Sequence, residues 1–337
     1  MRRRWLLVSG LAGLLVILVT AGDGRGQTMD RVMLQLKWVT QAQFAGYYAA
    51  KASGFYAAEN LDVTIGPGGP DIVSEQVVVS GGAQFGIDWL PSLLHARDRG
   101  MPLVNIAQVF ASSGMRQIAF KASGITGPAD LRGRKVAVWF GGNEFELLAT
   151  LEKYRIDRDR DVTLVAQPFD MDLLLQKKVD AAAATTYNEY KQVLDAGVKP
   201  EDLVVIDFNA EGTAMLEDGI FVKADWLKAL KNKEIAARFV RASLRGWELC
   251  RDRPAECVEI VLRESPRLGR EHQTWMMAEI NKLIWGPPAL RTPLGKMDPE
   301  AFQRTAEIAL RFGVIRKPVD PAAYTHEIWE KARKGRP

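Results

Sequence analysis

The chain has 337 residues, of which 47% are hydrophobic and 26% charged, and its formal net charge is +4 at pH 7. This composition excludes a disordered, collagen-like or low-complexity chain, and the length predicts two domains around sizeable cores. Two cysteines, Cys250 and Cys257, and three histidines form no metal-binding spacing. No metal site and no cofactor are therefore predicted.

Residues 1–27 have the pattern of an export signal. Three arginines, Arg2, Arg3 and Arg4, precede an apolar stretch and a Gly-rich polar segment. Two outcomes stay open, because no clean cleavage motif follows: cleavage near residues 21–27, which leaves a periplasmic protein, or retention as a membrane anchor. Cleavage would remove four arginines and one aspartate and lower the formal charge from +4 to about +1. A chain so nearly neutral does not predict nucleic-acid binding.

From Arg31 onward the apolar pattern alternates between the period of a strand and that of a helix. The segments VMLQLKW, LDVTIGP, AQFGID and LVNIAQVF predict strands, and FAGYYAAKASGFYAAE, DIVSEQVVVSG and WLPSLLHARDRG predict the helices between them. A second series of this kind begins near Gly127. After about Gly219 the strands stop and amphipathic helices follow. The pattern predicts an α/β class, with two units built on largely parallel sheets and a helical closing segment.

Four runs of sequence carry a family resemblance. They are LQLKWVTQAQFAGYYAAKASGFYAAENLDVTI at 34–65, SGGAQFGI at 80–87, RGMPLVNIA at 99–107 and SGITGPADLRGRKVAV at 123–138. In order and spacing they resemble the periplasmic solute-binding proteins of ABC importers. The most similar branch holds binders of thiamine pyrimidine precursors, riboflavin, alkanesulfonates and nitrate, together with the fungal thiamine pyrimidine synthase. The resemblance covers nearly the whole chain after the export signal.

The resemblance implies a type II periplasmic-binding-protein fold, in which two α/β lobes joined by two crossover strands close around a ligand. We expect the crossings near residues 112–121 and 204–221. Lobe 1 would then comprise residues 28–115 and be completed by 219–337, and lobe 2 would comprise 116–218. The implied partners are a small-molecule ligand, an ABC permease and its ATPase, and we expect a monomer.

The strand-to-helix turns supply the candidate ligand-binding residues, because ligands of open α/β sheets bind beyond the C-terminal ends of strands. Aromatic rings beside amide groups suit a flat heteroaromatic ring, and a glutamate next to an asparagine can read an aminopyrimidine edge. The alternatives are that the aromatic residues are core and that the polar ones cap helices. The candidates are Trp38, Gln43, Phe44 and Tyr48 in the first turn, Asp88 and Trp89 in the second, Trp139, Gly141, Gly142 and Asn143 in the third, and Tyr187, Asn188 and Glu189 in the fourth.

These residues favour a non-catalytic binding protein for a small flat nutrient. The candidate ligands are a thiamine pyrimidine precursor, such as formylaminopyrimidine or hydroxymethylpyrimidine, and riboflavin. An alternative is a binder of alkanesulfonate, taurine or nitrate, because Arg116 and the turn at Gly141 and Gly142 could hold an anion. A further alternative is a sensory binding domain tethered by an uncleaved signal.

An enzyme of the thiamine pyrimidine synthase type is the last alternative. Its chemistry needs a lysine for a Schiff base, a histidine and a cysteine-rich run. By the resemblance, the lysine position falls on Asp88, the histidine position on Ser92 and the cysteine run on GTAML at 212–216. No catalytic residue is therefore predicted. Whether Cys250 and Cys257 form a disulfide is left open, because their separation in space decides it.

Overall fold

The computed structural model describes residues 28–140, 142–287 and 292–335, which form two lobes that each contain a five-stranded sheet. The predicted export signal at residues 1–27 and the candidate ligand residue Gly141 lie outside the described residues. Within these ranges no helix combines the length and apolarity needed to cross a membrane.

The first sheet has the strand order β2-β1-β3-β10-β4, and β10 is its antiparallel member. Short apolar runs that alternate with helices form the parallel strands, as the periodicity predicts. The last two residues of β1 pair in parallel with the first two of β3, so both strands run toward the same edge of the sheet. The strands are β1 Asp30–Gln35, β2 Leu61–Gly66, β3 Phe85–Trp89, β4 Leu103–Gln108 and, much later in the chain, β10 Asp218–Lys223.

The second sheet repeats this arrangement with the strand order β7-β6-β8-β5-β9. Here β5 is the antiparallel member, and it lies between β8 and β9. Strand β8 is a run of alanines, and all of its residues are buried. The strands are β5 Met115–Phe120, β6 Lys135–Val138, β7 Thr163–Ala166, β8 Ala181–Thr185 and β9 Leu203–Asp207.

Helices cover both sheets, and five of them, four longer than any helix before, follow β10 and complete the first lobe. The predicted α/β class with two lobes and C-terminal helices is confirmed. The helices are α1 Ala45–Ala52, α2 Phe55–Ala58, α3 Ser74–Ser80, α4 Leu90–Asp98, α5 Phe145–Lys153, α6 Asp172–Leu175, α7 Glu189–Asp195, α8 Phe208–Glu211, α9 Leu230–Asp252, α10 Pro254–Glu264, α11 Arg270–Trp285, α12 Pro299–Arg311 and α13 Glu327–Lys334.

Two crossovers connect the lobes. The chain leaves the first sheet after Gln108 and enters the second at Met115, and it returns between Asp207 and Asp218. Each crossover therefore delivers the antiparallel strand of the sheet that it enters. The two connecting segments run close together, since the side chain of Asn209 in the second donates a hydrogen bond to the carbonyl of Ser113 in the first.

Two local features go beyond the sequence pattern. The single helix predicted over FAGYYAAKASGFYAAE is interrupted, because Gly54 adopts a left-handed conformation with φ of 72° between α1 and α2. Cys250 and Cys257 form a disulfide with a Cα–Cα distance of 5.4 Å, which ties the end of α9 to α10. Both cysteines are fully buried.

Candidate ligand-binding site

A cleft of about 260 Å³ lies between the lobes, at the C-terminal ends of the parallel strands. The lining of the cleft combines aromatic rings with carboxylates and amides, which is the composition of a small-molecule site. Lobe 1 contributes Lys37, Trp38, Gln41, Gln43, Gly69, Pro70, Ile72, Val73 and Asp88. Lobe 2 contributes Trp139, Phe140, Asn143, Ala166, Gln167, Thr185, Tyr187 and Glu189.

A buried ion pair holds the lobe 1 side of the cleft. Lys37 follows β1, and its Nζ lies 2.9 Å from Oδ1 of Asp218, the first residue of β10. The same ammonium lies 4.1 Å from the ring centroid of Trp89, a cation–π contact. Gln43 donates from Nε2 to the second oxygen of Asp218 at 3.0 Å and accepts from Gln41 at 2.8 Å. The positive charge of Lys37 is thus already partnered within the protein.

Asp88 offers a carboxyl group to the cleft from the end of β3. It accepts hydrogen bonds from its neighbour Trp89, through the backbone N–H at 2.7 Å, and from the Ser74 hydroxyl at 3.2 Å. Burial raises the pKa of Asp88 to about 6, although the charge of Lys37 opposes that shift. Burial and the charge of Asp88 also raise the pKa of Glu75 well above its usual range. Asp88 therefore faces the cleft with a second acid, Glu75, beside it.

Aromatic side chains from both lobes meet at the other side of the cleft. The ring centroid of Trp38 lies 4.9 Å from that of Phe169 and 6.3 Å from that of Trp139. The indole of Trp139 is fixed by a hydrogen bond of 3.0 Å from Nε1 to the carbonyl of Pro168. Phe140, also in the lining, leaves 55% of its surface exposed. These rings provide flat apolar surface on which a planar ligand can stack.

Glu189 and its neighbours form the lobe 2 polar wall. The carboxylate of Glu189 accepts from the backbone N–H of Thr185 at 3.0 Å, from its hydroxyl at 2.7 Å, and from the amide of Asn188 at 2.6 Å. Asn188 precedes α7, but its side chain does not cap that helix. Tyr187 lines the same wall, and its hydroxyl donates toward Glu217 at 3.4 Å. Glu189 is held rigidly, with acceptor capacity beyond its three partners.

The structure brings seven of the thirteen candidate residues to the cleft. Phe44, Tyr48 and Trp89 are instead packed in the core, with 4% or less of their surface exposed. Phe44 and Tyr48 belong to the core cluster of lobe 1, and Trp89 belongs to a cluster with residues from both lobes. Asn188 points away from the cleft, toward His272 at 2.7 Å. The candidates in the lining are Trp38, Gln43, Asp88, Trp139, Asn143, Tyr187 and Glu189.

The two lobes come into close contact at Gly142, in the third of the predicted strand-to-helix turns. Its φ is 139°, and a Cβ built there would lie 2.0 Å from the hydroxyl of Ser92 on α4. The backbone N–H of Gly142 donates to the carboxylate of Glu144 at 2.7 Å. Gly142 is therefore a point of close contact between lobes, where any side chain would clash.

Other contacts join the lobes around the same cleft. Trp275 on α11 donates from its indole to the carbonyl of Thr186 at 3.0 Å. Lys191 on α7 pairs with Glu271 on α11 at 3.1 Å. The lobes therefore meet along α11 as well as at the aromatic cluster.

Several lining residues that carry polar or aromatic groups were not predicted from the sequence. Lys37 directly precedes Trp38 at the end of the first strand, a position that should have suggested it. Gln167 follows β7 and is fixed by two hydrogen bonds with the backbone of Ala183, at 2.8 and 3.0 Å. The missed residues of this kind are Lys37, Gln41, Phe140, Gln167 and Thr185.

Sequence comparisons place these features among known proteins. A family described as "NMT1/THI5 like" matches residues 41–257. The chain is 28% identical to the riboflavin-binding protein RibY of Chloroflexus aurantiacus, over 89% of this chain and 86% of that protein. It is 27% identical to a formylaminopyrimidine-binding protein of Halalkalibacterium halodurans, over 72% of each. It is 25% identical to a 4-amino-5-hydroxymethyl-2-methylpyrimidine phosphate synthase of Legionella pneumophila, over 71% of this chain and 75% of that protein.

Solved structures share the fold. One of them comes from Methylobacillus flagellatus and is described as a "putative sulfonate ABC transporter, periplasmic sulfonate-binding protein SsuA". It superposes with a TM-score of 0.61 at 19% identity. The match covers 91% of this chain and 95% of that one. The expected periplasmic-binding-protein fold is confirmed by this likeness, which at such identity concerns the fold alone.

Proposed function

Since the chain belongs to the NMT1/THI5-like family, we propose that it is the substrate-binding component of an ABC importer. It captures a small flat heteroaromatic nutrient in the interlobe cleft and delivers that nutrient to a permease driven by an ATPase. The proposed ligand is a thiamine pyrimidine precursor or a flavin ring of the riboflavin kind, which agrees with the names of two relatives. Delivery of this kind takes place in the periplasm, which requires export of the chain.

One observation supports this proposal most strongly: the same cleft contains aromatic rings for stacking and carboxyl groups that can accept hydrogen bonds. Trp38 and Trp139 provide the faces, and Asp88 and Glu189 provide acceptors from opposite lobes. A planar ring with N–H or amino donors on its edges satisfies both sets of groups at once. Because the ligand then contacts both lobes, its binding stabilises the closed arrangement.

The size of the cleft favours the smaller ligands. Its volume of about 260 Å³ lies slightly below the range for small-molecule pockets, roughly 300–1,000 Å³. A single substituted pyrimidine fits this volume better than a three-ring flavin with its polyol chain. We therefore rank the aminopyrimidines first and riboflavin second.

The charges of the cleft argue against a sulfonate or nitrate ligand. Among the described lining residues Lys37 supplies the positive charge, and that charge is paired with Asp218 at 2.9 Å. Arg116, the cation that the anion hypothesis needed, pairs with Asp207 at 3.2 Å and does not line the cleft. An anion would also meet the carboxylates of Asp88 and Glu189. Small anions favour sites with an unpaired cation, and the cation in the described lining, Lys37, is paired.

We also propose that the protein is not an enzyme, although one relative carries the name of a synthase. A Schiff base with pyridoxal phosphate needs a lysine that is free to lose its proton. Lys37, the lysine in the described lining, is instead engaged by Asp218 in an ion pair and by the ring of Trp89 in a cation–π contact. The family's lysine position is Asp88, a carboxyl group.

Replacing Glu189 by glutamine tests whether this carboxylate accepts a hydrogen bond from the amino group of the ligand. The variant Glu189→Gln is expected to bind hydroxymethylpyrimidine at least tenfold more weakly, because an acceptor facing the amino group is lost. The same change should alter binding of the analogue without the 4-amino group by less than about twofold. Calorimetric titration of both compounds against both proteins measures the difference.

The matched control is Asp172→Asn, another acid in the first turn of a lobe 2 helix, which is exposed on α6. It should leave both affinities unchanged. If Glu189→Gln weakens both compounds equally, Glu189 serves only to hold its own turn through Thr185 and Asn188. That result would remove Glu189 from the ligand-reading groups.

A further inference from the structure

Two buried glutamates meet at the point where the crossovers pass each other, outside the cleft lining. Glu146 on α5 is fully buried, and so is Glu217 in the second crossover. Glu146 accepts from the backbone N–H of Met215 at 2.6 Å and lies 3.0 Å from the hydroxyl of Ser113. Glu217 lies 3.2 Å from that same hydroxyl and accepts from the N–H of Gly114 at 2.5 Å. The pair therefore joins both crossovers to lobe 2.

The hydrogens available at Ser113 do not suffice for two ionised carboxylates. Its hydroxyl oxygen accepts from the backbone N–H of Met115 at 3.1 Å and has a single hydrogen to donate. Two carboxylate oxygens, from Glu146 and Glu217, compete for that hydrogen. Full hydrogen bonding requires one of the two acids to carry a proton and donate it to the second lone pair of the hydroxyl.

The surroundings decide which acid carries the proton. The Glu217 oxygen nearest Ser113 already accepts from Gly114, and the charge of Lys37 favours the ionised form of Glu217. Glu146 forms no ion pair with any residue in the described part of the chain. Burial is the largest cause that raises the pKa of Glu146 well above its usual range, and the charge of Glu217 adds to it. The hydrogen bonds from Met215 and Ser113 and the charge of Arg116 act in the opposite direction without cancelling the effect of burial.

We propose that Glu146 is a positioning residue that stays a neutral carboxylic acid in the folded protein at neutral pH. Its carbonyl oxygen accepts from the second crossover, and its O–H donates to Ser113 in the first. Ser113 in turn donates to Glu217, which faces the hydroxyl of Tyr187 in the cleft. One proton therefore fixes the two crossovers and one ligand-facing ring in a single arrangement. This inference does not depend on the identity of the ligand.

Stability then depends on pH with a definite sign. A glutamate whose folded-state pKa is raised holds its proton to a higher pH in the folded chain than in the unfolded chain. The free energy of unfolding therefore falls as the pH rises above the pKa that this glutamate has in the unfolded chain. Glu217, whose pKa burial raises to about 7, adds its own titration. Elements that contact α5 carry other charged groups, among them Glu211 on α8, Arg304 on α12 and Asp130 in the turn Pro128–Leu131. His95 on α4 contacts the ring of Phe145, and the charge of Arg116 on β5 acts on Glu146. A comparison with a variant at Glu146 alone separates its contribution from theirs.

The variant Glu146→Gln reproduces the neutral acid, because its amide can donate to Ser113 and its carbonyl can accept from Met215. Chemical denaturation of the full chain from pH 5 to pH 8 is the measurement. At each pH we compare the unfolding equilibrium constant of Glu146→Gln with that of the unchanged protein. The ratio of the first to the second should fall about tenfold per pH unit, and about a hundredfold from pH 6 to pH 8. The control Glu152→Gln, at an exposed position of the same helix, should follow the unchanged protein throughout.

A second measurement observes the proton directly. The infrared difference between the unchanged protein and Glu146→Gln at pH 7 should contain the C=O stretch of a protonated carboxyl group. Glu146→Ala, which removes both hydrogen bonds, should be less stable than Glu146→Gln at every pH. Parallel stability curves for the unchanged protein and Glu146→Gln, or a carboxylate band in place of the acid band, would overturn the proposal.

Discussion

Replacing Lys37 with methionine is expected to lower the free energy of unfolding by about 3 to 5 kcal/mol at pH 8, because it removes the cation from a buried ion pair. Asp218 would keep Gln43 as a donor but lose the ammonium 2.9 Å away. The carboxyl groups of Asp88 and Glu217, whose pKa values Lys37 now lowers, would lose the same compensation. Urea denaturation measures the loss.

The pH dependence identifies the electrostatic cause. Without Lys37 the folded-state pKa values of Asp88 and Glu217 rise above their present values of about 6 and about 7. Acids with raised folded-state pKa values lose stability as pH rises, so the loss in Lys37→Met should be larger at pH 8 than at pH 5. The control Lys51→Met removes an exposed lysine of α1 and should cost little. Equal stability of the two variants would show that Lys37 supports neither the ion pair nor the acids.

The variant Gly246→Ala is expected to lose about 1 to 3 kcal/mol of stability, although alanine is the better helix former by about 1 kcal/mol. A Cβ built on Gly246 of α9 would lie 1.9 Å from the carbonyl oxygen of Gly46 on α1. That atom belongs to the backbone, so α1 and α9 must move apart. On the facing side, a Cβ at Gly46 would lie 2.2 Å from the ring of Trp247.

The displacement would also reach the cleft, since α1 follows directly after Gln43 and the turn that holds Trp38. Both thermal unfolding and ligand affinity should therefore decrease. Gly127→Ala is the matched control, because a Cβ there meets nothing within 4 Å and its backbone is extended. A Gly246→Ala protein that is as stable as this control would mean that the two helices tolerate the extra methyl group.

The alternation of short strands with helices predicted the α/β class and the order of elements, because each strand carries its own apolar period. The interruption of the first helix at Gly54 was missed, since an Ala-rich pattern masks one glycine with positive φ. The disulfide between Cys250 and Cys257 depends on the turn between α9 and α10, which brings the two Cα atoms to 5.4 Å. A separation of seven residues alone does not determine that distance.

The candidate site was predicted at the level of turns rather than side chains. Asp88 and Trp89 are neighbours in β3, and successive strand residues point to opposite faces, so both were unsuited to face one cleft. Asp88 lines the cleft and Trp89 is core. The pairing of Lys37 with Asp218 joins positions far apart in the sequence, and only the return of β10 beside β3 brings them together.

The measurement that tests the account most directly is calorimetric titration of refolded, ligand-stripped protein. The compounds are hydroxymethylpyrimidine, formylaminopyrimidine and riboflavin, with taurine, an alkanesulfonate and nitrate as the anionic set. We predict saturable binding of at least one heteroaromatic compound, tighter for the aminopyrimidines than for riboflavin, and no binding of the anions. Binding confined to sulfonates or nitrate would contradict the proposed role of the aromatic and carboxylate groups in this cleft.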